Sequence, residues 1–358
     1  MKILIAAGGT GGHIYPGIAI AKEIVERNPG SEVLFVGTAR GLEKRIVPDN
    51  VFQLAMINSA GLKNVGVVGK LKGMMVLPRS FWEARKIIKD FVPDVVVGAG
   101  GYVSGPVVLT AHLMRIPTLI MDSNALPGFT NRRLARYADK AALTFEAARP
   151  YFGDKGVVTG NPVRKEFFEV GKSMPSTPVN VLIFGGSQGA RAINSAIIDA
   201  LHFLKEKKEK LKITHQTGEA QFEKVKNAYV ENGWENVQVI PYISNMVAEF
   251  ETADLIISRA GATTCAEVTA AGRASLMIPL PTAADDHQRK NAEAMVAGGA
   301  GRMILQSDLT GETLAHEIID LMESPGKLSA YGEAAKEMAR PDAAAATVDL
   351  IESLMRVK

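Results

Sequence analysis

The chain has 358 residues, 47% hydrophobic and 22% charged, with 34 glycines, a composition that excludes a disordered or fibrous protein and suffices for two cores. The net charge of +3 hides an asymmetry: residues 1–162 hold 20 Lys and Arg against 12 Asp and Glu, a net +8, and the rest hold 21 against 26, a net −5, so the first half is expected to meet something anionic unless the excess is only a solvated surface. A lone cysteine, Cys265, excludes an intramolecular disulfide framework, and the absence of any run of 18 apolar residues excludes a membrane-spanning helix.

Ile3, Leu4, Ile5 and Ala6 form an apolar run too short for a helix and closed by glycines, the pattern of a buried parallel strand. With a strand in place of a leader, the expected compartment is the cytoplasm. Four of the five positions from Gly8 to Gly12 are glycine, so the backbone can turn sharply and approach a ligand with no Cβ in the way. Pro16 is expected in a first helical turn, with Ile18, Ile20, Ala21, Ile24 and Val25 following at helical spacing. Strand, glycine loop and helix in this order make a candidate phosphate cradle, because the N–H groups of a helix start favour an anion. The loop is not a G-x-G-x-x-G, since Ile14 fills the last place, nor a P-loop, since no Lys-Ser or Lys-Thr follows. A bare strand-to-helix turn is the competing reading.

Glu32–Gly37 reads as a second strand, and the alternation of β-rich runs with helical patterns reads as βαβ units. Asp94–Gly98 is a buried strand leading into Gly100-Gly101-Tyr102-Val103-Ser104-Gly105-Pro106 and a helix to Leu113, a second anion-ready turn. Thr118–Met121 is a strand opening into Asp122-Ser123-Asn124-Ala125 and a helix through Arg136. Lys140–Thr144 and Val157–Thr159 are weaker strands; Gly160-Asn161-Pro162 marks a domain junction, with Arg164 just past it.

Asn180–Ala190 repeats the opening: Gly185 aligns with Gly8, Gly186 with Gly9, Ser187 with Thr10 and Gly189 with Gly12, an offset of 177 residues, about half the chain. Two similar α/β halves are expected. The second continues with strand Val179–Phe184, a helix from Ala190, strand Leu211–Gln216, helix Gln221–Glu231 and strand Val237–Pro241. Strand Leu255–Ser258 then leads into small residues at a helix start, with Glu267 one turn inside. An acidic residue at the carboxyl end of a parallel strand can accept hydrogen bonds from ribose hydroxyls, or simply favour a helix N-terminus. Ser275–Pro279 is a further strand, followed by the polar cluster Asp285–Asn291, which either binds a sugar or is a solvated helix start; the last 50 or so residues read as helical, ending with Ala343–Arg356.

The stretch from Val65 to Lys89 departs from this regularity. It mixes Val67, Val68, Leu71, Met74, Met75, Leu77, Phe81 and Trp82 with Lys70, Lys72, Arg79 and Arg85. Such a mixture suits docking on anionic lipid headgroups, or the apolar members are core.

The chain has no His-Glu-x-x-His and no cysteine pair, so zinc proteolysis lacks its parts. It also has no Asp-x-Asp; charge on a leaving diphosphate would fall to helix N-termini and cations. His13, at the end of the first glycine loop, is the attractive general base. His112 and His215 sit in apolar patterns and read as structural.

Gly8-Gly-Thr-Gly-Gly-His13, Gly100-Gly-Tyr-Val-Ser-Gly-Pro106, Gly160-Asn-Pro-Val-Arg164, Gly185-Gly-Ser-Gln-Gly-Ala190 and Asp286-His-Gln288, in that order, closely resemble the MurG family of bacterial UDP-N-acetylglucosamine transferases, from residue 2 to about 350. The resemblance implies an α/β GT-B fold, two Rossmann-like domains with parallel sheets facing across a cleft: 1–162 on the acceptor and membrane side, 163–340 on the donor side, and a helix from about 341 to 358 packing back on the first. It implies an inverting, metal-independent transfer of GlcNAc from UDP-GlcNAc to the muramoyl 4-hydroxyl of lipid I (undecaprenyl-diphospho-MurNAc-pentapeptide), giving lipid II and UDP at the inner face of the plasma membrane. No cofactor, metal or nucleic acid is implied.

Carried over by motif, Thr10, Gly11, Gly12 and Asn124 would meet the donor. Arg164 and Ser187 would bind its diphosphate, Ile243 would pack by the uracil, and Ala262, Thr263, Thr264, Cys265, Ala266 and Glu267 would meet diphosphate and ribose. Gln288 would hold the GlcNAc hydroxyls. Gly9, Gly101, Tyr102, Ser104 and Gly105 would cradle the acceptor diphosphate, and Val67 to Trp82 would hold the membrane. The chain departs from the family at Met121-Asp122, where many members read His-Glu; Asp122 therefore stands as a second catalytic candidate. A sugar-nucleotide 2-epimerase of the same architecture and a two-domain solute receptor are the rival functions. A dinucleotide oxidoreductase lacks its acidic residue at Gly37-Thr38.

Overall fold

A computed structural model describes residues 1–9, 11–39, 41–59, 67–171, 175–186, 188–283 and 286–355, with side chains from residue 77 onward in the helix that begins at Val67. The chain forms two compact units, Met1–Arg164 with Arg340–Lys358, and Lys165–Ala339.

In the first unit, β1 (Lys2–Ala7), α1 (Gly11–Arg27), β2 (Glu32–Gly37), α2 (Glu43–Asp49), β3 (Gln53–Met56), α3 (Val67–Phe91), β4 (Val95–Gly100), α4 (Ser104–Leu113), β5 (Thr118–Asp122), α5 (Phe129–Leu134), β6 (Lys140–Leu143) and β7 (Gly156–Val158) build one sheet in the order β3-β2-β1-β4-β5-β6-β7. Every pairing is parallel. Successive residues of a strand face opposite sides, so Ile3, Ile5, Val95 and Val97 enter one core while Leu4, Ala6, Val96 and Ile120 enter the other. The first of these cores also takes Val348, Ile351 and Leu354 of the last helix, α13 (Ala343–Met355). Each such buried aliphatic side chain contributes about 1.5–3 kcal/mol, which fastens the chain's end to the unit that contains its beginning.

The second unit holds β8 (Val179–Phe184), α6 (Arg191–Phe203), β9 (Leu211–Gln216), α7 (Phe222–Glu231), β10 (Val237–Ile240), α8 (Met246–Thr252), β11 (Leu255–Ser258), α9 (Ala262–Ala271), β12 (Ala274–Met277), α10 (His287–Ala297), β13 (Gly301–Met303), α11 (Gly311–Met322) and α12 (Pro325–Glu337). Its sheet runs β10-β9-β8-β11-β12-β13, again all parallel. Val181, Ile183, Leu255, Ile257 and Leu276 pack under α6, α11 and α12.

Several elements differ from the sequence reading. The first helix starts at Gly11 inside the glycine run, which puts Pro16 in its second turn. The helix expected through Arg136 is confined to Phe129–Leu134, because Pro127 and Gly128 interrupt it and the Asp122 carboxylate holds the Gly128 N–H at 3.0 Å. The final helix is described over Ala343–Met355, and Arg356 lies outside the described residues. The short α2 and β3, and the edge strand β13, carry too little apolar periodicity to be read from sequence.

Candidate active site

In an open parallel sheet, ligands lie beyond the carboxyl ends of the strands, where the strand order reverses. In the first sheet that point falls between β1 and β4, the two strands that open into the first two glycine loops. The loops are interlocked. Gly100 has φ +121°, and a Cβ there would run into the His13 imidazole; Gly101 has φ +80°, and a Cβ there would strike the Gly8 carbonyl oxygen. Glycine at both positions lets the ring of His13 lie directly over the second loop.

Ser104 does a different job from the one expected. Its side chain is fully buried, donates to the Ala6 carbonyl at 3.0 Å and the Gly100 carbonyl at 2.9 Å, and accepts the Gly100 N–H at 2.9 Å. It ties the end of β1 to the second loop. The N–H of Gly9 is likewise turned inward, onto Glu43 Oε2 at 3.0 Å; Gly9 offers open space, with nothing within 4 Å of a Cβ. Gly105 lies in the first turn of α4, and the Tyr102 side chain is exposed. The Tyr102 carbonyl accepts the Ser59 hydroxyl at 2.9 Å, and neighbouring Asn58 donates its N–H and side-chain amide to Glu83 of α3, so α3 reaches the second loop through residues 58 and 59.

Asp122, at the end of β5, is buried and accepts from the Asn124 N–H at 3.0 Å, the Gly128 N–H at 3.0 Å and the Asn131 amide at 2.9 Å. A carboxylate surrounded by three donors orders the loop that carries Asn124; this geometry fits a positioning group better than a base. Arg164 stacks on the ring of Tyr15, 5.2 Å from the centroid, in the second turn of α1. Thr10 lies outside the described residues, and Gly11 and Gly12 open α1.

In the second unit the reversal falls between β8 and β11. Gly186 has φ +92°, and its carbonyl accepts from Gln216 Nε2 at 2.7 Å while Gln216 Oε1 takes the Ile243 N–H at 3.3 Å. One buried amide thus joins the glycine loop to the segment bearing Ile243. Sequence reasoning missed Gln216, whose only signal was its place as the last residue of a strand. Gly189 and Gly218, both at positive φ, let this loop press against the 217–218 turn. Ser187 lies outside the described residues.

After β11, Gly261 is the extended N-cap of α9, and Ala262, Thr263, Thr264 and Ala266 are half-buried around its first turns. Glu267 is nearly buried one turn in. Cys265 points the other way: it is buried with its Sγ 3.9 Å from Met277 Sδ, and burial pushes its thiol up to about 12, so only its backbone can meet a ligand. Arg259, also missed, donates to the Ile278 and Pro279 carbonyls at 3.0 and 3.1 Å and to Gln306 at 2.7 Å, which fixes the loop after β11 against the loop after β12. Gln288 is in the first turn of α10, its Oε1 accepting the Leu280 N–H at 3.0 Å. His215 is buried between Tyr229 and Asn194, and burial pushes it down to about 3, a structural histidine as expected. Of the proposed lipid-facing residues, Trp82 and Arg79 are exposed and Leu77 and Phe81 half-buried; the side chains of Val67, Val68, Lys70, Leu71, Lys72, Met74 and Met75 lie outside those described. No described helix is long and apolar enough to cross a membrane.

The Glycosyltransferase family 28 N-terminal domain matches residues 3–143, and the Glycosyltransferase family 28 C-terminal domain residues 180–347. A Geobacter sulfurreducens protein named UDP-N-acetylglucosamine--N-acetylmuramyl-(pentapeptide) pyrophosphoryl-undecaprenol N-acetylglucosamine transferase is 48% identical over 355 residues, 98% of this chain and 97% of its own. The chain belongs to the MurG family. Its fold is of the GT-B type, two Rossmann-like domains. The crystal structure of Acinetobacter baumannii MurG, 34% identical, matches with a TM-score of 0.78 over 98% of this chain and 99% of that one. A UDP-GlcNAc 2-epimerase from Neisseria meningitidis, solved bound to UDP-GlcNAc, matches at 0.71 with 16% identity over 99% of this chain and 100% of that one, a likeness of fold alone.

Proposed function

We propose that this enzyme transfers GlcNAc from UDP-GlcNAc to the muramoyl 4-hydroxyl of lipid I, with inversion and without a metal, releasing UDP and lipid II. The observation that carries the reading is the near-full-length identity to relatives named for that transfer. His13, lodged over the second glycine loop, takes the proton of the attacking hydroxyl. Gly9, Gly101, Tyr102 and Gly105 frame the acceptor diphosphate, with Ser104 bracing them.

On the donor side, Arg164, Ser187 and the first turn of α9 meet the UDP diphosphate, whose growing charge the helix N-terminus stabilises as UDP leaves. Ile243 borders the uracil, Glu267 accepts from the ribose hydroxyls, Gln288 and Asn124 hold the sugar, and Thr10, Gly11 and Gly12 complete its surroundings. Asp122 orders the Asn124 loop.

The first domain rests on the anionic cytoplasmic face of the membrane through the segment from Val67 to Trp82. Exposed Trp82 supports this reading. So does a cavity of about 470 Å³ lined by Arg132, Arg133, Arg136 and Lys155 with no carboxylate among its lining residues. The test is UDP release from UDP-GlcNAc by the purified chain. Release that depends on a lipid I analogue is expected; conversion of the sugar nucleotide without acceptor would favour the 2-epimerase reading.

A further inference from the structure

A carboxylate outside every motif of the sequence holds the first glycine loop. Glu43, in the first turn of α2, is fully buried. Its Oε2 accepts the Gly9 N–H at 3.0 Å; its Oε1 accepts the Thr38 N–H at 2.7 Å and the Thr38 hydroxyl at 2.9 Å. These partners are two backbone N–H groups and one hydroxyl from two different loops, with no cation among the described residues that bond it. Three glycines make room for it: at Gly8 a Cβ would stand 3.0 Å from Oε1, and at Gly37 and Gly41 a Cβ would overlap the Glu43 side chain.

Burying a carboxylate is costly unless its oxygens are hydrogen-bonded, so this group and the loops it bonds order one another. The bond to Gly9 has a geometric consequence. In a trans peptide the C=O points opposite to the N–H, so drawing the Gly9 N–H inward turns the Gly8 carbonyl out toward Gly101, where its oxygen fills the space of a missing Cβ. Among the described residues nothing lies within 4 Å of a Cβ built at Gly9.

We propose that Glu43 is a positioning residue for the transfer: by fixing the Gly8–Gly9 peptide it keeps the two glycine loops in register and sets the space that receives the acceptor diphosphate. The inference rests on the acceptor reading above. Glu43→Gln is the discriminating change. It is isosteric and keeps an acceptor for Thr38, but sets an amide NH2 against the Gly9 N–H, leaving a donor without a partner.

The test uses the full-length protein. Hydrogen exchange of the segment 6–14 should quicken about tenfold, as expected for one lost buried hydrogen bond. The KM for a lipid I analogue should rise about tenfold while that for UDP-GlcNAc stays within twofold. Equal rises in both KM values, or unchanged exchange, would overturn the proposal. If the wild-type chain transfers nothing to lipid, the acceptor reading fails, and the exchange result alone decides whether Glu43 holds the loop. Should Glu43→Gln not fold, Glu43→Asp, which keeps the charge but loses the reach to Gly9, repeats the test with the same expected exchange.

Discussion

The glycine loops that follow β1 and β8 occupy the same place in two similar sheets, each after the first strand of its unit at the point where strand order reverses. Their leading glycines share one backbone conformation, φ +91° at Gly9 and +92° at Gly186. What holds them is opposite in polarity. In the first unit an acceptor, Glu43, captures the N–H of Gly9; in the second a donor, Gln216, captures the carbonyl of Gly186. The Gly186 carbonyl also accepts the Gly189 N–H at 2.9 Å, so this loop is closed on itself as well as tied to Gln216. The first loop has its Gly9 N–H drawn inward, and His13 beside it lies against Gly100. One fold position is thus held in two ways, by an acceptor on an N–H and by a donor on a carbonyl.

The comparison breaks most sharply at His13. His13→Ala is expected to lower kcat about a hundredfold or more, as loss of a general base does, with UDP affinity measured by titration calorimetry unchanged because the loop after β8 is untouched. Gly100→Ala should follow with a loss of about tenfold to a hundredfold in kcat. The added methyl drives the imidazole from its seat and strains a residue at φ +121°; a crystal structure of the variant should show the ring displaced.

In the other loop, Gln216→Leu removes both hydrogen bonds that join Gly186 to Ile243, and UDP binding should weaken about tenfold while the KM for a lipid I analogue holds. Equal effects on both substrates would mean that the two loops do not divide the work. A stability effect concerns His215, also confined to the second unit. Its folded pKa lies below the unfolded value near 6.5, so the unfolded chain binds the extra proton. Stability is full above about pH 6.5 and falls as pH drops toward 3, by at most about 1.4 kcal/mol per pH unit. Hydrogen exchange of β9 peptides between pH 7.5 and 5, corrected for intrinsic rate, measures it.

The loops themselves were legible because their signals are local: an apolar run, paired glycines and a helical pattern within about 20 residues each. The residues that brace them were not. Glu43 sits in a short Glu-Lys-Arg stretch that reads as a solvated helix face, and only the fold brings it to Gly9, 34 positions away. Gln216 is one polar residue at a strand end until β10 delivers Ile243 to it. Ser104 and Cys265 fall inside motif stretches, yet the sides on which their side chains lie were set by packing in the two cores, which a motif does not reveal. Asp122 was weighed as a base, and its three donors, from Asn124, Gly128 and Asn131, are brought to it by a turn at Gly128 where the sequence reading had continued a helix.

The most direct measurement is transfer of labelled GlcNAc from UDP-GlcNAc into the lipid fraction of a lipid I analogue, with EDTA present. Label in the lipid, β-linked, is the predicted result. Label that stays in the aqueous phase, as an epimerised sugar nucleotide or as unchanged donor, would contradict the assignment of the first loop to an acceptor and its base.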